Sequence, residues 1–146
     1  MPFPWSSLGR KPLENTEATP VEEPKYPSWM SLLPLTLQSN PGLQAIALEA
    51  ASMGCIKFRI PKDPNMVAGR VLQHSISVIE SLFYQHRPLT FKFGYTHNPC
   101  FRWANTLYGY ASGPNKFSDM VVLWISGEPS GPAMLEASLI HMFKSI

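Results

Sequence analysis

The sequence has little cysteine, little charge and no long apolar run, and each shortage closes off a class of protein. Two cysteines, Cys55 and Cys100, cannot build a disulfide framework. With no Cys-x-x-Cys pair and only four scattered histidines, there is no zinc-binding pattern either. A reducing, intracellular setting is expected, with no disulfide-linked partner and nothing to choose between nucleus and cytoplasm. No apolar stretch approaches the roughly 20 residues that cross a bilayer, so no membrane contact is expected. The start MPFPWSSLGRKP lacks the apolar centre of a signal peptide. Charged residues make up 15% of the chain, and the formal net charge of +2 does not by itself argue for a nucleic-acid ligand.

What the chain does have is apolar content and proline. At 146 residues and 45% hydrophobic it is the size of one domain with enough material for a core. Seven of its 15 prolines stand at positions 2, 4, 12, 20, 24, 27 and 34, with no helical or strand period between them. Each fixes φ and removes an amide donor, so residues 1–38 are expected to be a disordered, proline-rich leader or linker. The apolar residues Trp29, Met30, Leu32, Leu33, Leu35 and Leu37 give it a means of docking on the domain. Residues 1–35 sum to −1 (three basic, four acidic), which leaves the remainder at +3 (nine basic, six acidic).

Residues 39–146 read as a single α/β (α+β) domain in the order α-β-α-β-α-β-α. Asn40-Pro41 pairs an N-cap with a first-position proline and predicts a helix over about 41–53. Cys55–Ile60 alternates with period two, setting Ile56, Phe58 and Ile60 against Lys57 and Arg59. Asp63-Pro64 repeats the cap signal before a long amphipathic helix to about residue 86. Residues 89–95 alternate again, with Leu89, Phe91, Phe93 and Tyr95 opposite Thr90, Lys92 and Gly94. Asn98-Pro99 opens a short helix that ends near Gly109. Met120–Ile125 is an unbroken apolar run, which predicts a strand covered on both faces at the centre of a small three-stranded sheet. Gly131-Pro132 begins the last helix.

The chemistry is concentrated in Lys92-Phe-Gly-Tyr-Thr-His-Asn-Pro-Cys-Phe-Arg-Trp103. Gly94 lets a backbone or a phosphate approach closely, and Arg102, in the first full turn of a capped helix, can grip a phosphate. The bland alternative is a tight strand-to-helix junction with a solvated arginine. Glu136 shares a helix face with Leu139, Ile140 and Phe143, where a lone carboxylate wants a partner. That partner is either a divalent ion, a salt bridge to Arg102 or the solvent at the edge of the core. Lys57, Arg59 and Lys92 point away from the apolar faces and would together form a basic surface, or simply an exposed lysine-rich one. His97 is either an acid–base group or a solvated turn residue. Cys100 at a helix N-terminus invites a lowered pKa, with no histidine–aspartate arrangement to support a thiol enzyme. His74, His86 and His141 have no metal spacing. Trp103, Tyr108 and Tyr110 suit either base stacking or the core.

This strand–helix segment resembles the second signature of the GIY-YIG nuclease superfamily, Tyr-Ile/Val-Gly-x-Thr-x-Asn followed by Arg-Trp or Arg-Leu. Gly94, Thr96, Asn98, Arg102 and Trp103 fall on it in register. The apolar strand 120–125 and the helix carrying Glu136 match the family's downstream arrangement, so the likeness covers roughly residues 54–146. It implies a GIY-YIG-like fold and metal-assisted hydrolysis of a DNA phosphodiester, with Mg²⁺ or Mn²⁺ as cofactor. Arg102 would stabilise the phosphate and Glu136 would hold the ion, with Gly94 and Thr96 shaping the catalytic centre. Lys57, Arg59, Lys92, His97 and Asn98 would contact the nucleic acid.

The chain departs from the family in several places. Lys92 stands where the signature has tyrosine, and the first strand reads Gly54-Cys55-Ile56 with none, leaving Tyr95 or Tyr108 to bring a phenol to the site. The polar residue usual four positions after the arginine is Thr106. A helix of about 20 residues stands where the family has a short link. The chain stops at Ile146, before an asparagine-bearing strand that many members possess, as an abridged domain or a fragment would. Three readings follow: an endonuclease, an inactive module of the same fold that binds nucleic acid or a protein partner, or an unrelated α+β interaction module whose match to the motif is accidental.

Overall fold

The computed structural model describes residues 24–88, 90–107, 109–113 and 116–144. Pro27 and Pro34 act as starters for two short helical pieces, a 3-10 turn over Ser28–Leu32 and the single turn α1, Leu35–Gln38. The expected leader is thus ordered in its last third, and residues 1–23 lie outside the described residues. Met30 and Leu33 are buried against Ala47 and Ile60, and the Trp29 ring stacks on Phe58 with centroids 4.0 Å apart. Their apolar side chains draw the segment onto the domain despite its prolines.

Asn40 caps the helix α2, Pro41–Ala51, its side-chain oxygen accepting from the Leu43 amide at 3.0 Å. The strand β1, Ile56–Phe58, follows the expected alternation: Ile56 and Ile60 are buried, while Lys57 and Arg59 are exposed. Asp63 does not cap a helix. Its carboxylate accepts from the Asn65 amide at 2.9 Å, which closes a local turn and delays the helix α3 to Ala68–His86. Val71, Ser75, Val78 and Ile79 are its buried face. Arg87 then ends it in the left-handed region at φ 46°, just before Pro88.

Residues 90–95 are extended but join no strand, so the three-stranded sheet expected around them is not formed among the described residues; Leu89 lies outside those residues. The packing supplies the reason. The Phe91 ring packs on Phe83 and Phe93 on Phe143, at centroid distances of 4.8 and 5.7 Å, which holds the segment against helices instead of a strand. Asn98 caps α4, Pro99–Ala104, accepting from the Phe101 amide at 3.1 Å. The strand β2, Met120–Val122, pairs in parallel with β1 in the register Ile56↔Met120, Lys57↔Val121, Phe58↔Val122. The sheet is two-stranded, so β2 is not its middle and 120–125 is half-buried, not covered on both faces. The run is apolar for another reason, because it threads all three core clusters. Ile125 packs on the cluster that includes Met30 and Leu33, Met120 on that of Ile56 and Trp103, Leu123 on that of Ile79 and Leu139, and Val122 on the first two.

The last helix, α5, Ser130–Phe143, buries Leu139 and Phe143 against α3. Its first turn carries the Trp124 ring so closely on Gly131 that a methyl group there would stand 2.6 Å from the indole. The architecture is mixed α/β. No helix among the described residues is long and apolar enough to cross a membrane, and both cysteines are free.

Replacing Met30 with Ala is expected to cost about 2–5 kcal/mol in urea denaturation of the full chain. Leu35→Ala, five positions on and 79% exposed, should stay within about half a kcal/mol. Equal effects would show that the segment does not dock.

Candidate functional site

The return of the chain after α4 builds the site. Gly109 N–H donates to the Asn105 carbonyl at 2.8 Å, Tyr110 N–H to Arg102 at 3.1 Å and Ala111 N–H to Trp103 at 3.2 Å, folding residues 109–111 back along the helix they have just left. Only glycine fits at 109: a methyl group there would overlap the Asn105 carbonyl oxygen and stand 2.7 Å from the Trp103 oxygen. The return lays the Tyr110 ring over Arg102, whose guanidinium carbon lies 5.1 Å from the ring centroid, and Lys92 Nζ lies 5.5 Å from the same centroid. Two cations on one π-system fix its orientation.

The Tyr110 hydroxyl reaches the backbone at Gly94. A methyl group on Gly94 would lie 3.0 Å from Tyr110 Oη and 3.7 Å from Glu136 Oε2. Gly94, Arg102 and Glu136, read from three separate stretches of sequence, therefore meet around one tyrosine. Glu136 is half-buried and has no ion-pair partner among the described residues; neither the salt bridge to Arg102 nor a fully solvated edge describes it. Arg102 is half-buried too, and its Nε is closed off from solvent with no hydrogen-bond partner among those residues.

A cleft of about 1070 Å³ opens over this cluster. One wall is the extended segment 90–97, the other β2 and its continuation to Gly127. Lys57, Arg59, Lys92, Arg102 and Lys116 all line it, so the expected basic surface is brought together with the arginine. Lys57 is engaged at 3.3 Å by Asp119, which offsets that carboxylate. His97 is exposed at the rim.

Two of the expected site residues are committed to shaping the backbone. The Thr96 hydroxyl accepts from the Asn98 amide at 3.2 Å and lies 3.3 Å from its carbonyl, and the Asn98 side chain is the α4 cap. These bonds shape the turn and the helix cap that lie between Gly94 and Arg102. Cys100 is not an activated thiol: it is fully buried, lies 3.7 Å from the Ile46 carbonyl, and burial followed by the nearby Glu49 charge pushes its pKa up. Trp103 is core.

Tyr110 packs on the core cluster of Trp103 and edge-on to Phe117, as the core reading has it, and its hydroxyl also reaches the site, which sequence reasoning missed. Tyr95, one of two phenols expected to reach the site, is 48% exposed, and Tyr108 lies outside the described residues. The signal for Tyr110 was Gly109 directly before it, a glycine in the loop after α4 where the chain passes too close to backbone for a side chain. Among the described residues no three His, Cys, Asp or Glu side chains cluster as metal ligands. No family model, no curated protein and no solved structure matches the chain.

Gly109→Ala should destabilise the fold more than Gly94→Ala. At 109 the obstruction is rigid backbone, whereas at 94 the tip of a phenol gives way by a few tenths of an ångström, for about 1 kcal/mol. Reversed ranking in chemical denaturation would contradict the described return.

Proposed function

We propose that the chain is a GIY-YIG-like endonuclease domain that hydrolyses DNA phosphodiesters with one divalent ion. The observation that carries this reading is the meeting of Gly94, Arg102 and Glu136 around Tyr110, a phenol the linear signature lacks. The donor set fits Mg²⁺ or Mn²⁺, because an unpaired carboxylate facing the cleft leaves the remaining positions to water and substrate phosphate oxygens. When bound to Glu136, such an ion neutralises charge on the phosphate and activates water.

The chain's own residues do the rest. Arg102 offers its guanidinium to the phosphate, held in place by the Tyr110 ring. Lys92, on the other contact to that ring, adds a second positive charge. Tyr110 Oη, beside Gly94 where no side chain intervenes, orients the attacking water by accepting its hydrogen bond. Gly94 keeps the approach to the phosphorus open. The three-stranded GIY-YIG sheet belongs to this proposal as well, since residues 90–95 have the length and alternation of the missing strand.

Glu136→Gln should abolish divalent-ion-dependent cleavage and leave DNA binding within about threefold, because it removes the anionic ligand at nearly constant shape. Arg102→Ala should weaken both binding and cleavage. Tyr110→Phe should lower kcat by about 10²–10³, the range for removing one positioned hydrogen-bonding group, with affinity unchanged. Wild-type protein that binds DNA with a negative salt slope but cuts with neither ion would identify the inactive binding module instead. A domain that neither binds nor cuts would leave a protein-interaction role.

A further inference from the structure

We infer that the cleft takes a single unpaired DNA strand in preference to a duplex, which rests on the phosphodiester reading above and adds the substrate's form to it. The first argument is size. A cleft of about 1070 Å³ stands at the top of the range for sites that enclose one small molecule. That volume accommodates a phosphodiester and its flanking nucleosides.

The second argument is where the cation sits. Arg102 is half-buried with its Nε shut away from solvent, and its guanidinium faces the ring of a half-buried tyrosine. Phosphates on the outside of a duplex are met by protruding side chains. To meet this guanidinium a strand must enter the cleft, which an unpaired backbone does without breaking base pairs.

The third argument is the chemistry of the walls. Neither residues 90–97 nor 123–128 make a backbone-to-backbone hydrogen bond among the described residues. Apart from the Glu128 amide, which donates to Ser126 Oγ at 3.1 Å, the peptide groups of these two cleft-lining segments are unpaired among the described residues, and such groups pair with a ligand or with water. The lining carries cations and aromatic rings together: Lys92, Arg102 and Lys116 with Tyr95, Tyr110 and Phe117. A positively charged groove with stacking surfaces is the combination that holds unpaired nucleotides without reading sequence.

The test is fluorescence anisotropy on the full chain, without divalent ions, using a labelled 12-nucleotide strand and the blunt duplex of the same sequence. The single strand should bind at least about tenfold more tightly at low salt, the scale of stacking one base, and its log affinity should fall linearly with log salt. Tyr110→Leu and the exposed-site variant Lys92→Gln should each weaken the single strand several-fold and erode its advantage over the duplex. Lys92→Gln removes one exposed charge and its contact with the Tyr110 ring, and an unchanged thermal melt of this variant separates a binding effect from a folding one. A duplex bound as tightly as the strand, in a manner still dependent on Arg102, would overturn the strand preference and leave the nuclease reading standing. Binding of neither would overturn both.

Discussion

A three-residue parallel ladder between β1 and β2 holds the two ends of the domain together. The Met120 amide bonds to the Cys55 carbonyl at 2.8 Å and the Arg59 amide to Val122 at 2.9 Å, with Lys57 and Asp119 paired beside it. Parallel strands require a long crossover, and here the crossover carries α3, the extended segment and α4, hence Lys92, Gly94, Arg102 and Tyr110. Glu136 comes from the helix directly after β2. A slip of one residue would turn Ile56 and Phe58 outward and Lys57 inward, and would carry β2, with the start of α5, away from Gly94.

Local chemistry was readable in the sequence where a few neighbouring residues decide the outcome. Both Asn-Pro pairs cap helices as expected, the alternation at 56–60 matches burial, and α3 stops where the apolar spacing stops. Asp63-Pro64 has the same appearance, yet the carboxylate found a nearer amide at Asn65. Met120–Ile125 shows a different limit: a continuous apolar run fits a doubly covered strand, but it also fits a seam shared by three small clusters, and periodicity cannot separate them. The strand expected at 89–95 has the right alternation, and long-range ring packing decided its neighbours. The docking of Met30 and Leu33 turned on partners, Ala47 and Ile60, that no local pattern identifies.

The candidate site divides along the same line. Gly94, Arg102 and Glu136 were legible because glycine at a strand end, arginine in a capped turn and a carboxylate on an apolar face are each odd where they stand. That they share one place depends on the 109–111 return, which is tertiary. Thr96 and Asn98 stood out for the same positions but serve the turn and the cap. Ile140, placed by spacing on the apolar face with Glu136, is 46% exposed, so the buried part of that face narrows to Leu139 and Phe143.

Residues 90–95 are fastened through two phenylalanine rings while their peptide groups stay unpaired. Such a segment would look contradictory to two probes: its aromatic side chains immobile, its amide protons exchanging quickly with solvent. Its placement is also set by Phe83 and Phe143, on α3 and α5. The gap between Gly94 and the phenol therefore depends on the thickness of an aromatic layer to which two separate helices contribute.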